Sequence, residues 1–409
     1  MQSAQIAVVG AGTAGAAVAT LLARAGHAVT VFERVPEPKP VGAGITLQPT
    51  GQAALRRLGV LDEVVARGAR LDRLTCIRAN RRPLVDLPYA EIDPGLYGLG
   101  THRGNLFRTL FGALQSSGAV VRCGVAVTAT EVDARGRWLI CERERLGPFD
   151  LVIAADGSIS ELHGAARKVK TTPYPWGALW IVAADSGFAA DRRIYQVVDG
   201  ANTMLGFLPM GMAPDHDTPC VSMFWSIRGD RVAAWRAAGI ARWRDRVLAL
   251  EPRAEPILDT VDDLDAVVFA KYRDVAMWPW HGDRLVFIGD AAHATSPQLG
   301  QGANLALIDA VALADALAAE PGIERALAAY TRSRHRQLDY YQFATRALTP
   351  LFQSDSRALG WFRDRVLPIS RWFGPLRRRM TRTMVGVDRG LFRRPLPIAD
   401  LPRLPSGAA

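Results

Sequence analysis

The sequence predicts an α/β fold. A Rossmann-like dinucleotide-binding domain carries an inserted antiparallel β-sheet domain and is followed by a helical C-terminal segment. Three observations predict this arrangement. A glycine-rich turn follows the first apolar strand, and a much later strand ends in Gly289-Asp290. Between them, over residues 171–270, short alternating strands replace the helical pattern. The 409 residues suffice for two domains or one large composite domain.

The first element is a strand, a glycine-rich turn and a helix. Residues 6–9 form a β-branched strand, the turn GAGTAG occupies residues 10–15, and a helical pattern covers residues 16–24. A second strand, residues 28–32, ends at Glu33. The three glycines allow a tight turn, close approach of a pyrophosphate and tight helix–strand packing, and an acid at this place binds a ribose hydroxyl. The pattern predicts an adenine dinucleotide site without separating FAD from NAD.

The middle of the chain adds further candidates for ligand contact. Residues 41–48, VGAGITLQ, lead through glycines into an apolar strand, which indicates backbone close to a ligand at Gly44. Arg103 begins a predicted helix, where we expect it to hold a phosphate. A buried strand then ends in Asp156-Gly157, and we expect this carboxylate to lie close to the dinucleotide.

The inserted segment is predicted to be an antiparallel sheet. Its strands are residues 178–184, 193–198, 203–208 and 220–226. Alternation places Met223 and Trp225 on one face and Phe224 on the other, but leaves open which face covers the core and which covers a substrate site. The candidate substrate contacts are Tyr195, Phe207, Met223 and Trp225, with a plain core position as the alternative for each.

The loop after Gly289-Asp290 is the most informative segment. It contains Pro297, Gly300 and Gly302, and a long apolar helical pattern follows from about Asn304. Glycines let backbone approach a flat ring, and the outward N–H groups at a helix start favour negative charge. The N–H groups of Gly302, Ala303 and Asn304 would suit the charge that a reduced flavin carries near N1 and O2. This loop therefore predicts flavin chemistry.

Composition limits the remaining classes of function. The formal net charge is +10, and no nucleic-acid-binding motif accompanies it, so nucleic acid is not an expected partner. No apolar run is expected to span a membrane, and the N-terminus lacks the basic region of a signal peptide. The four cysteines have neither disulfide nor metal spacing, which indicates a cytoplasmic protein without a metal site.

The C-terminal segment is predicted to be helical and basic. Residues 323–347 form one helix, and residues 355–394 form another helical segment interrupted by Pro368 and Pro375. In the second segment an apolar stripe, from Trp372 to Met384, is flanked by arginines. Two interpretations stay open: a helix packed on the body with a solvated basic face, which we favour, or a helix lying on a membrane surface.

Taken in order, these motifs resemble those of the flavoprotein aromatic hydroxylases, single-component FAD monooxygenases with the fold of p-hydroxybenzoate hydroxylase. The segment VGAGITLQPTGQAALRRLGV further resembles the salicylate hydroxylase-like branch. The resemblance covers roughly residues 1–340. It implies a discontinuous FAD-binding domain (residues 1–80, 98–170 and 271–340), a substrate domain (81–97 and 171–270) and the basic C-terminal segment (341–409).

The resemblance also implies an activity. NAD(P)H would reduce FAD as a transient co-substrate, and O₂ would be activated as a flavin C4a-hydroperoxide that hydroxylates or epoxidises an aromatic or polycyclic small molecule. Pro297 would shape the pocket beside flavin C4a, and no residue is assigned as catalytic base. The residues expected to contact FAD are Gly10, Gly12, Thr13, Ala14, Gly15, Glu33, Arg34, Gly44, Arg103, Asp156, Gly157, Gly289, Asp290, Pro297, Gly300, Gly302, Ala303 and Asn304.

One departure from the family pattern concerns the nicotinamide coenzyme. His163 stands where the family pattern has an arginine, which leaves NADH and NADPH open; Arg167 or Lys168 would be the substitutes. Two alternatives to hydroxylation also stay open. One is another flavin reaction on the same fold, as in a dehydrogenase, reductase or halogenase, and the other is a non-catalytic flavin-binding protein. The expected assembly is a monomer or homodimer.

Overall fold

In a computed structural model, the structure describes residues 3–142, 144–214, 216–264, 267–390, 394–397, 399 and 401–403. The strands are β1 (Gln5–Val9), β2 (Ala28–Glu33), β3 (Gly44–Leu47), β4 (Ala69–Leu71), β5 (Arg73–Arg78), β6 (Pro83–Pro88), β7 (Gly98–His102), β8 (Val120–Cys123), β9 (Val127–Asp133), β10 (Gly136–Cys141), β11 (Arg145–Phe149), β12 (Leu151–Ala154), β13 (Val169–Ala184), β14 (Arg193–Asp199), β15 (Thr203–Met212), β16 (Pro219–Arg228), β17 (Val268–Met277), β18 (His281–Gly282) and β19 (Leu285–Phe287). The α-helices are α1 (Thr13–Arg24), α2 (Pro49–Leu58), α3 (Leu61–Arg67), α4 (Arg103–Gln115), α5 (Val232–Ala237), α6 (Ile240–Leu250), α7 (Glu255–Leu258), α8 (Asp290–His293), α9 (Gly302–Ala319), α10 (Ile323–Phe352), α11 (Arg357–Val366) and α12 (Gly374–Val385).

The predicted α/β fold is confirmed, and its central element is a six-stranded sheet. The strand order is β18-β19-β12-β1-β2-β8, and all strands except the short β18 run parallel. The chain therefore winds in one direction from β1 to β8 and in the other from β12 to β19, as in a Rossmann-like sheet. The inner strands β1, β12 and β19 are almost wholly buried because helices cover both faces.

The inserted sheet has seven strands in the order β17-β13-β16-β15-β14-β5-β6. The predicted antiparallel strands are confirmed, although β13 is much longer than expected. One predicted boundary is wrong. Residues 73–78 were expected in the dinucleotide-binding part, but β5 pairs with β14 and β6 in this sheet. The error arises because β5 has no flanking glycine motif that distinguishes the two sheets. The other predicted boundaries stay predictions.

Two smaller sheets complete the β-structure. Strands β3, β7 and β4 form one of them, and it contacts the inserted sheet, because a Cβ added at Gly100 of β7 would lie 1.9 Å from the Pro209 carbonyl oxygen of β15. Strands β9, β10 and β11 form the other. The β3-β7-β4 sheet therefore joins the dinucleotide-binding part to the inserted sheet.

The C-terminal segment is helical where the structure describes it. Helix α10 includes Pro350, and α11 is followed by a 3₁₀ turn, Leu367–Arg371, before α12. Met384, at the end of the predicted apolar stripe, is 5% exposed and packs in the core, whereas Trp372 at its start is 85% exposed. The stripe therefore does not lie on one face. Several residues after 390 lie outside the described residues, including part of the predicted RGLFRR run.

One helix contradicts the expectation that no segment has the length and apolarity of a membrane span. Among the described residues, α9 meets that criterion by length and composition, with a mean hydropathy of 1.5 over 18 residues. In the structure this helix packs against α1, α2 and α10. The core helix of a globular fold has the same composition, since apolar residues all round a helix indicate burial.

Candidate active site

The predicted motifs meet at one edge of the six-stranded sheet. Val9 pairs with Ala154 on one side and with Phe32 on the other, and Ala154 pairs with Phe287. The carboxyl ends of these four parallel strands are therefore level. The residues that follow them, among them Gly10 and Asp156, lie side by side at the point where open α/β sheets bind ligands.

The glycines of the GAGTAG turn have different structural reasons. A Cβ added at Gly10, which has φ +96°, would lie 2.6 Å from the carbonyl oxygen of Ala155. A Cβ at Gly15 would lie 1.9 Å from the carbonyl oxygen of Gly10. A Cβ at Gly12 would meet nothing within 4 Å. The first and third glycines therefore serve packing, whereas the second opens onto space that a pyrophosphate would fill. Helix α1 begins at Thr13, earlier than predicted, so its first turn, Thr13 to Gly15, borders this space.

Glu33 stands at the end of β2, beside the turn. Its carboxylate accepts hydrogen bonds from the backbone N–H of Ala11 at 2.9 Å and of Val35 at 2.9 Å. The carboxylate is half-buried and is held in place by the turn it borders, while the neighbouring Arg34 is exposed. This position suits a ribose hydroxyl, because a carboxylate accepts further hydrogen bonds on its remaining lone pairs.

Asp156 is the polar group most clearly in need of a partner. Its Oδ1 atom is buried and has no hydrogen-bond partner, and burial raises the pKa of this carboxyl above its usual range. A buried polar atom without a partner is costly unless a ligand or water satisfies it. His163, six or seven residues on, does not fill this role: its Nε2 lies 2.8 Å from the carbonyl oxygen of Ala291 and ties this segment to α8.

The Gly289-Asp290 loop packs directly on the GAGTAG turn. A Cβ added at Gly289, which has φ +60°, would lie 3.0 Å from the Cβ of Ala14. Asp290 follows at the start of α8 and is exposed. A Cβ added at Gly302 would lie 3.9 Å from Asp290 Oδ1, so the carboxylate faces the start of α9. The two predicted dinucleotide and ring motifs are therefore parts of one site.

The start of α9 presents backbone N–H groups. The first intrahelical bond runs from Leu305 N–H to the Gln301 carbonyl at 2.9 Å, so the N–H groups of Gly302, Ala303 and Asn304 precede the hydrogen-bonded ladder. Pro297 and Gly300, in the loop before the helix, are exposed beside it. This arrangement matches an anion or an electron-rich ring edge placed at a helix N-terminus.

Asn304 also has a structural role that the sequence did not indicate. Its Oδ1 accepts a hydrogen bond from Gln48 N–H at 2.8 Å, and its Nδ2 donates to the Thr46 carbonyl at 3.1 Å. The side chain is fully buried. It therefore fastens β3 to the start of α9 and faces protein, which leaves only its backbone N–H toward the site.

Arg103 and Gly44 lie on the other side of this cleft. Arg103 is exposed at the start of α4, and its side chain packs on Gly42, where an added Cβ would lie 3.1 Å from Arg103 Cβ. Gly44 is buried against the inserted sheet: its N–H donates to Ser222 Oγ at 3.2 Å, and an added Cβ would lie 2.7 Å from Ser222 Cβ. Gly44 therefore has a packing reason to be glycine, and its contact with a cofactor stays a prediction.

The sequence analysis missed a buried charged cluster beneath the Gly289 turn. Asp309, on α9, accepts hydrogen bonds from Gly289 N–H at 2.9 Å and from Arg334 Nε at 2.7 Å, and its other contact is His293. Burial acts to raise the pKa of Asp309, but His293 and Arg334 hold it at about 2. A single acid inside an otherwise apolar helical pattern was the signal available in the sequence. His293 is buried in this cluster and is therefore a positioning residue.

The four predicted substrate contacts lie on the wrong face of the inserted sheet. Tyr195, Phe207, Met223 and Trp225 are at most 5% exposed, and they pack in one apolar cluster with Trp243 of α6. Helices α6 and α7 cover this face, so these side chains are core. The contacts of Gly44 with Ser222 show that the opposite face borders the cleft.

That opposite face carries an aromatic group which the sequence analysis did not single out. Trp180 and Phe224 are neighbours on β13 and β16, with ring centroids 5.2 Å apart. Trp180 Nε1 donates a hydrogen bond to the hydroxyl of Tyr272 on β17 at 3.1 Å. All three side chains are half-buried. Alternation with the core residues was the signal that could have identified Phe224.

The residues at this site fit a flavin dinucleotide. Gly12 borders open space, Asp156 has a buried atom without a partner, and α9 presents N–H groups beside Asp290. In the part of the chain that the structure describes, no cluster of three or more His, Cys, Asp or Glu side chains could hold a metal ion.

Comparison with known proteins gives the same result. A family model described as an FAD binding domain matches residues 3–340. The 3-amino-4-hydroxybenzoate 2-monooxygenase of Streptomyces cremeus is 32% identical over 78% of this chain and 79% of its own length. The 6-hydroxynicotinate 3-monooxygenase of Pseudomonas fluorescens is 29% identical over 77% of this chain and 83% of its own. A crystal structure of Klebsiella pneumoniae HpxO with FAD has a similar fold (TM-score 0.80, 21% identity, 94% of this chain and 99% of that one).

Proposed function

The chain belongs to the FAD-binding family of flavoprotein aromatic hydroxylases and is an FAD-dependent monooxygenase, and from this premise we propose how its own residues serve the reaction. It uses NAD(P)H and O₂ to hydroxylate or epoxidise an aromatic or polycyclic small molecule that binds between the Pro297 loop and the face bearing Trp180, Phe224 and Tyr272. The observation that carries the proposal is the meeting of four motif-bearing strand ends at one sheet edge, opposite that aromatic face.

The dinucleotide-binding residues would hold FAD along the sheet edge. Gly12 and the first turn of α1 take the pyrophosphate, and Glu33 takes the adenosine ribose. Asp156, whose buried oxygen has no protein partner, and Asp290 lie beside the remainder of the molecule. The N–H groups of Gly302, Ala303 and Asn304 face the pyrimidine edge of the ring. When bound, FAD supplies the redox chemistry that activates O₂.

The aromatic face would orient the substrate. Trp180 and Phe224 offer flat apolar surfaces on which an aromatic ring packs. Burial raises the pKa of Tyr272 to about 12, so its hydroxyl stays protonated at neutral pH. Since this hydroxyl accepts the Trp180 N–H, its own proton is available for an oxygen or nitrogen of the substrate. Tyr272 is thus a hydrogen-bond donor and not the base.

Exclusion of water completes the role of the protein, because water promotes unproductive release of H₂O₂. Pro297 would shape the pocket on the flavin side, and the inserted sheet would cover the other side. With His163 bound to Ala291, Arg167 or Lys168 would contact NAD(P)H. We propose a monomer or homodimer that acts in the cytoplasm.

The test is NAD(P)H oxidation in air by the FAD-loaded protein, with H₂O₂ quantified, against a panel of phenols and polycyclic aromatics. We expect one compound class to accelerate oxidation, to lower the H₂O₂ formed for each NAD(P)H consumed, and to gain one oxygen by mass. A product that loses or gains only hydrogen would favour a dehydrogenase or reductase. Halide incorporation would favour a halogenase. Bound FAD without turnover for any compound would favour a non-catalytic flavin-binding protein.

A further inference from the structure

An exposed aromatic stripe lies on the C-terminal helices, remote in sequence from the flavin motifs. It runs along α11, the 3₁₀ turn Leu367–Arg371 and the two residues after it. Thirteen large apolar side chains are exposed among the described residues, and five of them fall within these few turns. They are Trp361 (59% exposed), Phe362 (47%), Ile369 (50%), Trp372 (85%) and Phe373 (55%). Such a cluster is unusual for a surface that faces only water.

The stripe is continuous on one side of the helical run. Trp361, Arg365, Ile369 and Phe373 follow one another at intervals of four residues, so they share a side where the run is helical. The Arg365 guanidinium lies 3.8 Å from the ring centroid of Trp361, which confirms that these two side chains are neighbours.

The other side of α11 is fixed to the body of the protein. Arg363 is 1% exposed and donates hydrogen bonds to the carbonyls of Gly200 at 2.8 Å and Leu351 at 3.1 Å. A Cβ added at Gly360 would lie 3.1 Å from the backbone nitrogen of Ala201. The helix is therefore held against the β14–β15 turn, and the stripe is presented outward on a rigid support.

The charge around the stripe is positive. Residues 357–378 contain six arginines and one acid, Asp364, which pairs with the buried Arg363. Arg357, Arg365, Arg371 and Arg378 are exposed.

The acids on neighbouring elements are engaged by other arginines. Asp355 pairs with Arg228 and Arg231, and Glu91 pairs with Arg377. The stripe therefore faces outward with a positive charge around it.

We propose that this stripe docks the protein on an anionic phospholipid surface. Tryptophan and phenylalanine enter the interface between headgroups and acyl chains, and the flanking arginines contact the anionic headgroups. A symmetric dimer through the same patch would place arginine against arginine, because a two-fold interface pairs identical surfaces. Charge complementarity thus favours the lipid surface over a second copy. The contact is peripheral and needs no membrane-spanning segment.

The experiment is sedimentation of the FAD-loaded full chain with vesicles of phosphatidylcholine alone and of phosphatidylcholine mixed with phosphatidylglycerol. We expect binding to the mixed vesicles that weakens as salt rises. The W361A/W372A/F373A variant should lower the partition coefficient roughly tenfold or more. Substitution of Arg365 and Arg371 by glutamine should lower it about fivefold for each arginine.

Matched controls use exposed residues elsewhere. V268A removes part of a side chain that is 65% exposed on β17, and R57Q removes a surface charge on α2 whose side chain is 65% exposed. Both controls should bind as the unaltered protein does. Absence of binding to mixed vesicles at low salt would overturn the proposal. So would equal binding by the aromatic variant, since that indicates mere adsorption of a basic protein. A dimer in light scattering that W361A/W372A/F373A dissociates would assign the patch to a second copy instead.

Discussion

The carboxylate of Asp309 accepts a hydrogen bond from the backbone N–H of Gly289 at 2.9 Å, and this bond links the middle of α9 to the turn that precedes α8. The same carboxylate is paired with Arg334, and none of it is exposed to solvent. The turn at Gly289 is thus held from below by a buried ion pair, while its upper side packs on Ala14 at the dinucleotide site.

Asp309→Asn should therefore affect both stability and FAD retention. The substitution leaves Arg334 buried without its counter-charge, and we expect the free energy of unfolding to fall by about 3–5 kcal/mol. Denaturant unfolding and the FAD content after gel filtration measure the two effects. Asp315→Asn on the same helix is the control, since Asp315 is exposed and 3.7 Å from Arg57; it should change stability by less than about 0.5 kcal/mol. Equal effects of the two substitutions would contradict this role for Asp309.

The same cluster predicts an acid-dependent loss of stability. The pKa of Asp309 is lowered from 3.8 to about 2 in the folded protein. Because the folded value is the lower one, the contribution is fully present above pH 3.8 and is lost as the pH falls toward 2. The difference corresponds to about 2 kcal/mol. Unfolding measured from pH 5 to pH 2 should show this loss in the unaltered protein and a smaller one in Asp309→Asn.

Two glycines of the first turn should respond differently to the same added methyl group. Gly15→Ala places a Cβ against the Gly10 carbonyl, and we expect it to lower the free energy of unfolding by about 1–3 kcal/mol. Gly12→Ala meets only open space. It should leave unfolding within about 0.5 kcal/mol of the unaltered protein and weaken FAD binding. Thermal unfolding of the FAD-free proteins and FAD titration separate the two cases; a destabilised Gly12→Ala variant would argue against the cradle.

The two faces of the inserted sheet give a further contrast. Phe224→Ala should raise the KM for the aromatic substrate roughly tenfold, the equivalent of one aromatic contact of about 1.4 kcal/mol. Its effect on stability should be small because Phe224 is half-buried. Trp225→Ala should instead lower the free energy of unfolding by about 3–5 kcal/mol. Steady-state kinetics beside denaturant unfolding would test the assignment, which fails if Trp225→Ala changes KM alone.

Asp156 should be a burden in the FAD-free protein and an asset in the loaded one. Burial raises the pKa of its carboxyl, so stability in the FAD-free protein falls as the pH rises through the ordinary and then the raised value. Asp156→Asn should remove this dependence and stabilise the FAD-free protein by about 1 kcal/mol at neutral pH. The same change should weaken FAD binding about tenfold, through loss of a charged hydrogen bond. Unchanged FAD affinity would show that the carboxylate does not contact the cofactor.

The sequence predicted best those parts whose geometry is local. The GAGTAG turn and the Gly289 turn could be predicted because strand, glycine and helix start are adjacent in the chain, and parallel strands then bring their ends together. Alternation likewise separated Phe224 from Trp225, but the choice of face depends on α6 and α7, which follow later in the chain. Asp309 illustrates the same limit, since its partners lie 16 to 25 residues away and are brought together only by packing.

The division of the inserted sheet into a helix-covered face and a cleft-lining face has a practical meaning for directed evolution. Libraries confined to alternate positions of β13 and β16, such as Trp180 and Phe224, would diversify substrate range while leaving the partner positions that keep the sheet folded untouched. Because the flavin-binding loops belong to a different sheet, selection for new substrates can proceed without re-optimising cofactor loading. The scaffold therefore separates evolvability from foldability, residue by residue along a single strand.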